Sequence, residues 1–82
     1  MSNITNYTSS ILKIIANVMD IEESTISLDK TFEEIGLGSL GFINIIVQCE
    51  TEFDIEFGED KFLISEFPQI TDFVSYVESL IQ

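Results

Sequence analysis

Three stretches of the chain fit the apolar spacing of an α-helix, and this periodicity favours an all-helical fold. The C-terminal stretch has apolar residues at i, i+3, i+4, i+7 and i+11, namely Ile70, Phe73, Val74, Val77 and Ile81. An N-terminal stretch predicts a helix from about Ile4 to Met19, with Ser2 or Asn3 as its cap. Each helix has an apolar stripe that must be buried against another element, so the pattern predicts helices packed on one another.

The middle stretch, SLGFINIIVQCETEF, is ambiguous because its β-branched residues also suit a buried strand. Its length favours a helix. On a helical wheel one face is apolar and predicts core packing; it consists of Phe42, Ile45, Ile46, Cys49 and Phe53. A second apolar strip on another face consists of Leu40, Ile43 and Val47. The pattern leaves two alternatives for this strip, which is either covered by the preceding loop or left exposed for a partner.

A long connection from Asp20 to Gly38 has many polar residues and no sustained period. A loop of this length in a small domain is usually anchored or functional. The residues expected to anchor it on the core are Ile26, Leu28, Phe32 and Ile35. A short helix is predicted around Glu59 to Ile64, before a break at Pro68. The predicted fold is therefore all-α: one domain, residues 1–82, forming a small four-helix bundle of three longer helices and one short helix, with a long loop between helices 1 and 2.

The charge excludes several classes of partner. The chain has a formal net charge of −12 with three lysines and no arginine, which disfavours nucleic acids and anionic membrane surfaces. No apolar stretch approaches the ~20 residues of a membrane span, and no signal peptide is evident. A cytoplasmic protein is therefore expected. Cys49, the only cysteine, has no partner for an internal disulfide. It is interpreted as a small buried hydrophobe, with a reactive thiol as the alternative.

Motifs for catalysis are absent, so an enzyme is not predicted. The chain has no histidine to serve as a general base. Ser39 fails the G-x-S-x-G pattern because Leu37 stands where the first glycine belongs. The glycine-containing turn has no lysine for a phosphate-binding loop, and the acidic run from Glu52 places Phe57 where a calcium loop needs glycine. From its position before an apolar helix, Ser39 is interpreted as a helix N-cap.

Four segments carry a resemblance to a known family. Residues 32–40 read FEEIGLGSL, residues 52–56 read EFDIE, residues 67–77 read FPQITDFVSYV, and residues 26–32 read ISLDKTF. The first resembles the signature of the acyl carrier protein family, in which Leu-Gly is followed by a variable residue and then Asp-Ser-Leu. The others resemble the end of that family's second helix, the start of its last helix and its loop into the signature. The resemblance covers nearly the whole chain.

The resemblance implies a covalent 4′-phosphopantetheine group on Ser39, transferred from coenzyme A by a separate phosphopantetheinyl transferase. Gly38 and Leu40 flank the attachment site, and Gly36 and Gly38 are expected to give the loop unusual backbone angles there. The cargo thiol would belong to the cofactor and not to Cys49. Further partners would be an acyl- or amino acid-activating ligase and synthase or transferase enzymes. The implied partner-facing residues are Leu40, Ile43, Asn44, Val47 and Ile55; the core face of the same helix is a possible lining for a tethered acyl chain.

The chain also departs from the family at three positions. Gly38 stands where the family usually has aspartate, and Gly41 and Asn44 stand where it commonly has acids. These differences favour a free-standing, monomeric carrier of acyl or aminoacyl thioesters in a specialised pathway of the polyketide or nonribosomal peptide type. Two alternatives remain: a carrier for fatty acid synthesis, and an unmodified carrier-like module that acts by protein interaction alone.

Overall fold

A computed structural model of the protein describes residues 7–81, which form three α-helices and no β-strand. The helices are α1 (Thr8–Met19), α2 (Ser39–Phe53) and α3 (Ile70–Ile81). The all-helical prediction is confirmed. Helix α1 begins later than the predicted Ile4, because Tyr7 is its N-cap; Ile4 and the proposed caps Ser2 and Asn3 lie outside the described residues. None of these helices is long and apolar enough to cross a membrane.

The core contains a continuous cluster of aromatic rings centred on Phe73 of α3. Its ring centroid lies 5.5 Å from that of Phe32, 5.7 Å from Phe42, 5.7 Å from Phe57 and 5.3 Å from Phe67. Several of these pairs meet edge to face, the arrangement that aromatic quadrupoles favour. The cluster joins α2 and α3 to both long connections, so burial of these rings holds together segments far apart in the sequence.

Helix α2 confirms the helical interpretation of the ambiguous middle stretch. The side chains of Phe42, Ile45, Ile46 and Cys49 are completely buried. Phe53, predicted on the same face, is only half-buried and meets the ring of Tyr7 edge to face at 5.7 Å. The length of the stretch decides its conformation, because a single helix buries the whole apolar face at once. Its β-branched residues lower the stability of the helix only slightly.

The connection between α1 and α2 is fixed to the beginning of α3 through its backbone. The N–H groups of Ile70 and Thr71 each donate a 2.8 Å hydrogen bond, to the carbonyl oxygens of Lys30 and Leu28 respectively. Phe32 and Ile26 are buried as predicted, but the prediction for Leu28 is wrong, because its side chain is 37% exposed. Leu28 anchors the loop through its carbonyl group, which residue hydrophobicity does not reveal.

The predicted short helix around Glu59 to Ile64 is replaced by two 3₁₀ turns, Glu59–Lys61 and Ile64–Glu66; a third 3₁₀ turn, Glu23–Thr25, follows α1. Gly58 precedes the first of the two, and its N–H donates a 3.1 Å hydrogen bond to the Tyr76 hydroxyl. The segment is therefore held by tertiary contacts and lacks the length over which an α-helix becomes favourable.

Candidate functional site

Ser39 is the first residue of α2 and is exposed to solvent. Gly38 is the N-cap, with φ −95° and ψ 177°. The interpretation of Ser39 as a helix N-cap is therefore wrong, since an N-cap precedes the first helical residue. The hydroxyl makes no hydrogen bond to any residue in the described part of the chain. It is free to act as an acceptor or to be modified.

The first turn of α2 has unpaired backbone donors next to this hydroxyl. Within residues 7–81, the N–H groups of Ser39, Leu40 and Gly41 have no hydrogen-bond acceptor, and the turn contains no acidic residue. At the beginning of α3, in contrast, the N–H groups of Ile70 and Thr71 donate hydrogen bonds to the connection between α1 and α2. Unpaired N–H groups and the positive end of the helix dipole favour an anion. The residues present thus fit a phosphate group attached to Ser39.

A hydrogen-bonded turn, residues 31–37, precedes Ser39 and leads the chain into α2. Its beginning is a capping box: the Glu34 N–H donates to Thr31 Oγ1 at 3.0 Å, and the Thr31 N–H donates to Glu34 Oε1 at 2.8 Å. This motif is not among the sequence-based predictions. The spacing Thr-x-x-Glu was the available signal, although the turn is too short for hydrophobic periodicity to show.

Gly36 closes this turn in a left-handed conformation, with φ +88°. The Leu37 N–H donates to the Phe32 carbonyl at 2.9 Å, and the Gly36 N–H donates to the Glu33 carbonyl at 3.0 Å. This is the Schellman arrangement, in which glycine is favoured at the left-handed position. Gly36 therefore has the unusual backbone angles expected of it. Gly38 does not, and a Cβ built there meets no atom of residues 7–81 within 4 Å beyond its chain neighbours, so the site has room for a side chain.

A Gly36→Ala substitution is expected to lower the free energy of unfolding by about 1–2 kcal/mol, because L-residues disfavour the left-handed region. Among the described residues, a Cβ at this position meets only Met19 Cε, at 3.9 Å, so the cost is conformational and not steric. Chemical denaturation followed by circular dichroism measures it. The control is Gly38→Ser, which is expected to leave stability unchanged or slightly higher. Equal stability of Gly36→Ala and the wild type would contradict the prediction.

An open apolar groove lies beside Ser39 on α2. It is lined by Val18 of α1 and, on α2, by Leu40, Gly41, Ile43, Asn44 and Val47. Leu40 is 85% exposed and Val47 is 49% exposed. The preceding loop therefore does not cover the second apolar strip of α2. Of the two alternatives, the structure shows the one in which this strip is left exposed.

The groove brings together four of the five predicted partner-facing residues and excludes the fifth. Ile55 follows the far end of α2, about 20 Å along the helix axis from Ser39. It is half-buried against the core, and its N–H donates to the Glu50 carbonyl at 3.1 Å. The groove also includes Val18 of α1. Its place at the end of α1 beside α2 follows from how the helices pack, and the sequence carries no signal for it.

Cys49 is a buried hydrophobe, as the first interpretation held, and not a reactive thiol. Its side chain is completely buried in α2. Burial, reinforced by the negative charges of Glu50 and Glu52, raises the pKa of the Cys49 thiol to about 12. The thiolate is the reactive form of cysteine, so this environment suppresses reactivity. Within residues 7–81 no group of three or more side chains could hold a metal ion.

We expect Cys49 in the folded protein to resist a maleimide or Ellman's reagent at pH 8, and to react completely once the protein is denatured. With a pKa of about 12, only about one thiol in ten thousand is ionised at that pH. The same shift predicts a loss of stability in alkali. The unfolded thiol ionises near pH 9.0 and the folded thiol near 12, so the contribution is complete below pH 9 and is lost as the pH rises between the two values. Rapid labelling of the native protein would contradict this placement.

Comparison with known proteins places the chain in a family. The sequence model described as "Phosphopantetheine attachment site" matches residues 9–77. The chain belongs to this family. It is 27% identical over 79 residues to an acyl carrier protein of Rickettsia bellii (strain RML369-C), covering 95% of this chain and 90% of the relative. It is 28% identical over 79 residues to an acyl carrier protein of Rickettsia bellii (strain OSU 85-389), covering 95% of each.

The fold of this chain matches that of a solved structure. The NMR structure of the HMG-ACPI domain from the CurA module of Lyngbya majuscula aligns with a TM-score of 0.72 at 18% identity. The alignment covers 99% of this chain and 90% of that domain. Family membership implies a covalently attached 4′-phosphopantetheine group and a carrier role. Carriers of this type are not themselves enzymes; they interact with phosphopantetheinyl transferases, synthases and other transferases.

Proposed function

We propose that the protein carries acyl or aminoacyl intermediates as thioesters on a phosphopantetheine arm attached to Ser39. The observation that supports this most directly is the placement of Ser39. The residue is exposed, its hydroxyl makes no hydrogen bond to any residue in 7–81, and it stands at a helix start with unpaired N–H groups. The arm supplies the thiol that forms the thioester. Cys49 does not take this part because its thiol is buried.

Attachment requires the chain to present one nucleophilic oxygen to a separate transferase. In the proposed step, Ser39 Oγ forms a bond to the phosphorus of coenzyme A that bears pantetheine. The pyrophosphate bond breaks, adenosine 3′,5′-bisphosphate leaves, and the serine proton passes to a base on the transferase. The chain itself has no histidine, and the proposed step assigns the base to the transferase. The N–H groups of Leu40 and Gly41 then face the negative charge of the product.

The test is an intact-mass measurement on the purified protein after incubation with coenzyme A and a broad-specificity phosphopantetheinyl transferase. We expect the mass to rise by one phosphopantetheine, and peptide mapping to place the addition on Ser39. A control carrier confirms that the transferase is active. An unchanged mass with the fold intact, or addition at another residue, would overturn the proposal.

The pathway we propose is a specialised one, of the polyketide or nonribosomal peptide type, in which a ligase loads the arm. The groove beside Ser39 supports this: it is apolar, and among the described residues that line it only Asn44 has a side chain capable of hydrogen bonding. Partners that dock through basic patches need acidic residues on this face. The acids of this chain lie elsewhere, for example Glu52 and Asp54 at the opposite end of α2. We expect the carrier to act as a monomer, without nucleic acid or membrane.

We expect the enzymes of primary fatty acid synthesis to elongate cargo on this protein more slowly than on their own carrier. We expect the substitution Asn44→Glu to raise the rate of this elongation. Asn44 is exposed in the groove, so a carboxylate there gains about 1 kcal/mol from one exposed ion pair, or roughly fivefold in KM. The control is Gln48→Glu, which adds the same charge on an exposed part of α2 outside the groove. Equal elongation on the wild type and on the fatty acid carrier would refute the specialised pathway.

A further inference from the structure

Gly41 of α2 lies close to Leu37, the last residue of the turn at residues 31–37. A Cβ atom built on Gly41 would lie 2.7 Å from Leu37 Cδ1 and 3.7 Å from Leu37 Cγ. The first distance is shorter than side chains tolerate. Leu37 is only 6% exposed, so its side chain cannot move into solvent without losing buried apolar contact. Glycine at position 41 therefore lets Leu37 occupy this space.

The position of Leu37 is fixed from the other side by the turn that it ends. Its N–H is bonded to the Phe32 carbonyl, and it follows Gly36 in the left-handed conformation. Gly38, the next residue, accepts a 3.0 Å hydrogen bond from the Phe42 N–H of α2. The backbone that leads to Ser39 is therefore fixed at two points, by the burial of Leu37 and by the hydrogen bond from the Phe42 N–H to the Gly38 carbonyl.

The hydroxyl of Ser39 has no hydrogen bond of its own within the described residues. Its direction therefore depends on the backbone that carries it. No side chain compensates if the turn at residues 31–37 shifts against α2. For a reaction between two proteins, a displacement of about 1 Å at the reacting atom can cost up to a hundredfold in rate.

We propose that Leu37, packed against the bare backbone of Gly41, is a positioning residue for modification of Ser39. Leu37 touches neither the hydroxyl nor coenzyme A; it sets the angle at which the backbone enters α2. This inference rests on the proposed function, because it concerns the same attachment step. It also accounts for the missing acid at position 41: a side chain there would displace Leu37.

The test is steady-state kinetics of phosphopantetheine transfer to Gly41→Ala, at a temperature where each variant is shown to be folded. We expect kcat to fall roughly tenfold, because the added methyl group pushes Leu37 and the serine out of position. KM should change less than twofold, because the groove keeps its other lining residues. The control is Gln48→Ala, on an exposed part of α2 outside the groove, which should have wild-type kinetics.

The rescuing variant is Leu37→Val/Gly41→Ala. Valine lacks the Cδ1 atom that meets the added methyl group, so we expect kcat to return to within about threefold of the value for Leu37→Val alone. If Leu37 had only a structural role, Gly41→Ala would alter the thermal stability of the protein and leave kcat unchanged. Unchanged kcat in Gly41→Ala, an effect on KM alone, or failure of the double variant to recover would each overturn the inference. Absence of any transfer to the wild type would instead count against the proposed function.

Discussion

Replacement of Ser39 by alanine is expected to abolish the phosphopantetheine mass gain while leaving the fold intact. The reason for the first effect is chemical, since alanine has no oxygen to bond to phosphorus. The reason for the second is structural. Ser39 is exposed and its hydroxyl makes no hydrogen bond to the rest of residues 7–81, and Gly38 occupies the N-cap position. We therefore expect the free energy of unfolding to change by less than about 0.5 kcal/mol.

The matched control for this variant is Ser75→Ala. Ser75 is exposed on α3, and its loss should affect neither mass gain nor stability. Full modification of Ser39→Ala would refute Ser39 as the attachment site. The same pair separates a carrier from an unmodified interaction module. A carrier loses the ability to accept cargo in Ser39→Ala, whereas a module that acts by docking alone keeps its activity, because the groove is unchanged.

Replacement of Phe73 by alanine is expected to remove about 4 kcal/mol from the free energy of unfolding. Phe73 is completely buried and its ring meets four other phenylalanine rings. Truncation leaves a cavity where helices and connections converge, and the surroundings can close it only in part. A domain of this size has a total stability of roughly 4–12 kcal/mol. We therefore expect a large shift in the urea midpoint and partial unfolding at 37 °C.

Phe62→Ala is the matched control, because it removes the same side chain from a less central place. Phe62 is half-buried, and its ring meets Phe57 at 6.3 Å. We expect it to cost about 1–2 kcal/mol. Urea denaturation followed by circular dichroism measures both variants. If Phe73→Ala costs no more than Phe62→Ala, the ring of Phe73 is not the centre of the core.

The sequence by itself determined the three helices, the identity of most core residues and the serine that the family resemblance points to. Periodicity decides the first and last helices and length decides the middle one, because a helix of three or more turns must bury one apolar stripe whatever it packs on. The C-terminal helix begins at Ile70, where the apolar pattern begins. Cys49 lies in the core for the same reason. The match of the family model to residues 9–77 agrees with the resemblance found in the residues.

Only the tertiary structure decided how the segments between the helices are held. Leu28 anchors its loop through a carbonyl group, and residues 59–66 form two 3₁₀ turns in place of a short helix. The open groove on α2, and the contact of Leu37 with Gly41, depend on which elements meet across long stretches of chain. Backbone hydrogen bonds are common to every residue type, and the neighbours of a side chain are set by packing. Neither leaves a periodic trace in the sequence, so both become visible only when the chain is folded.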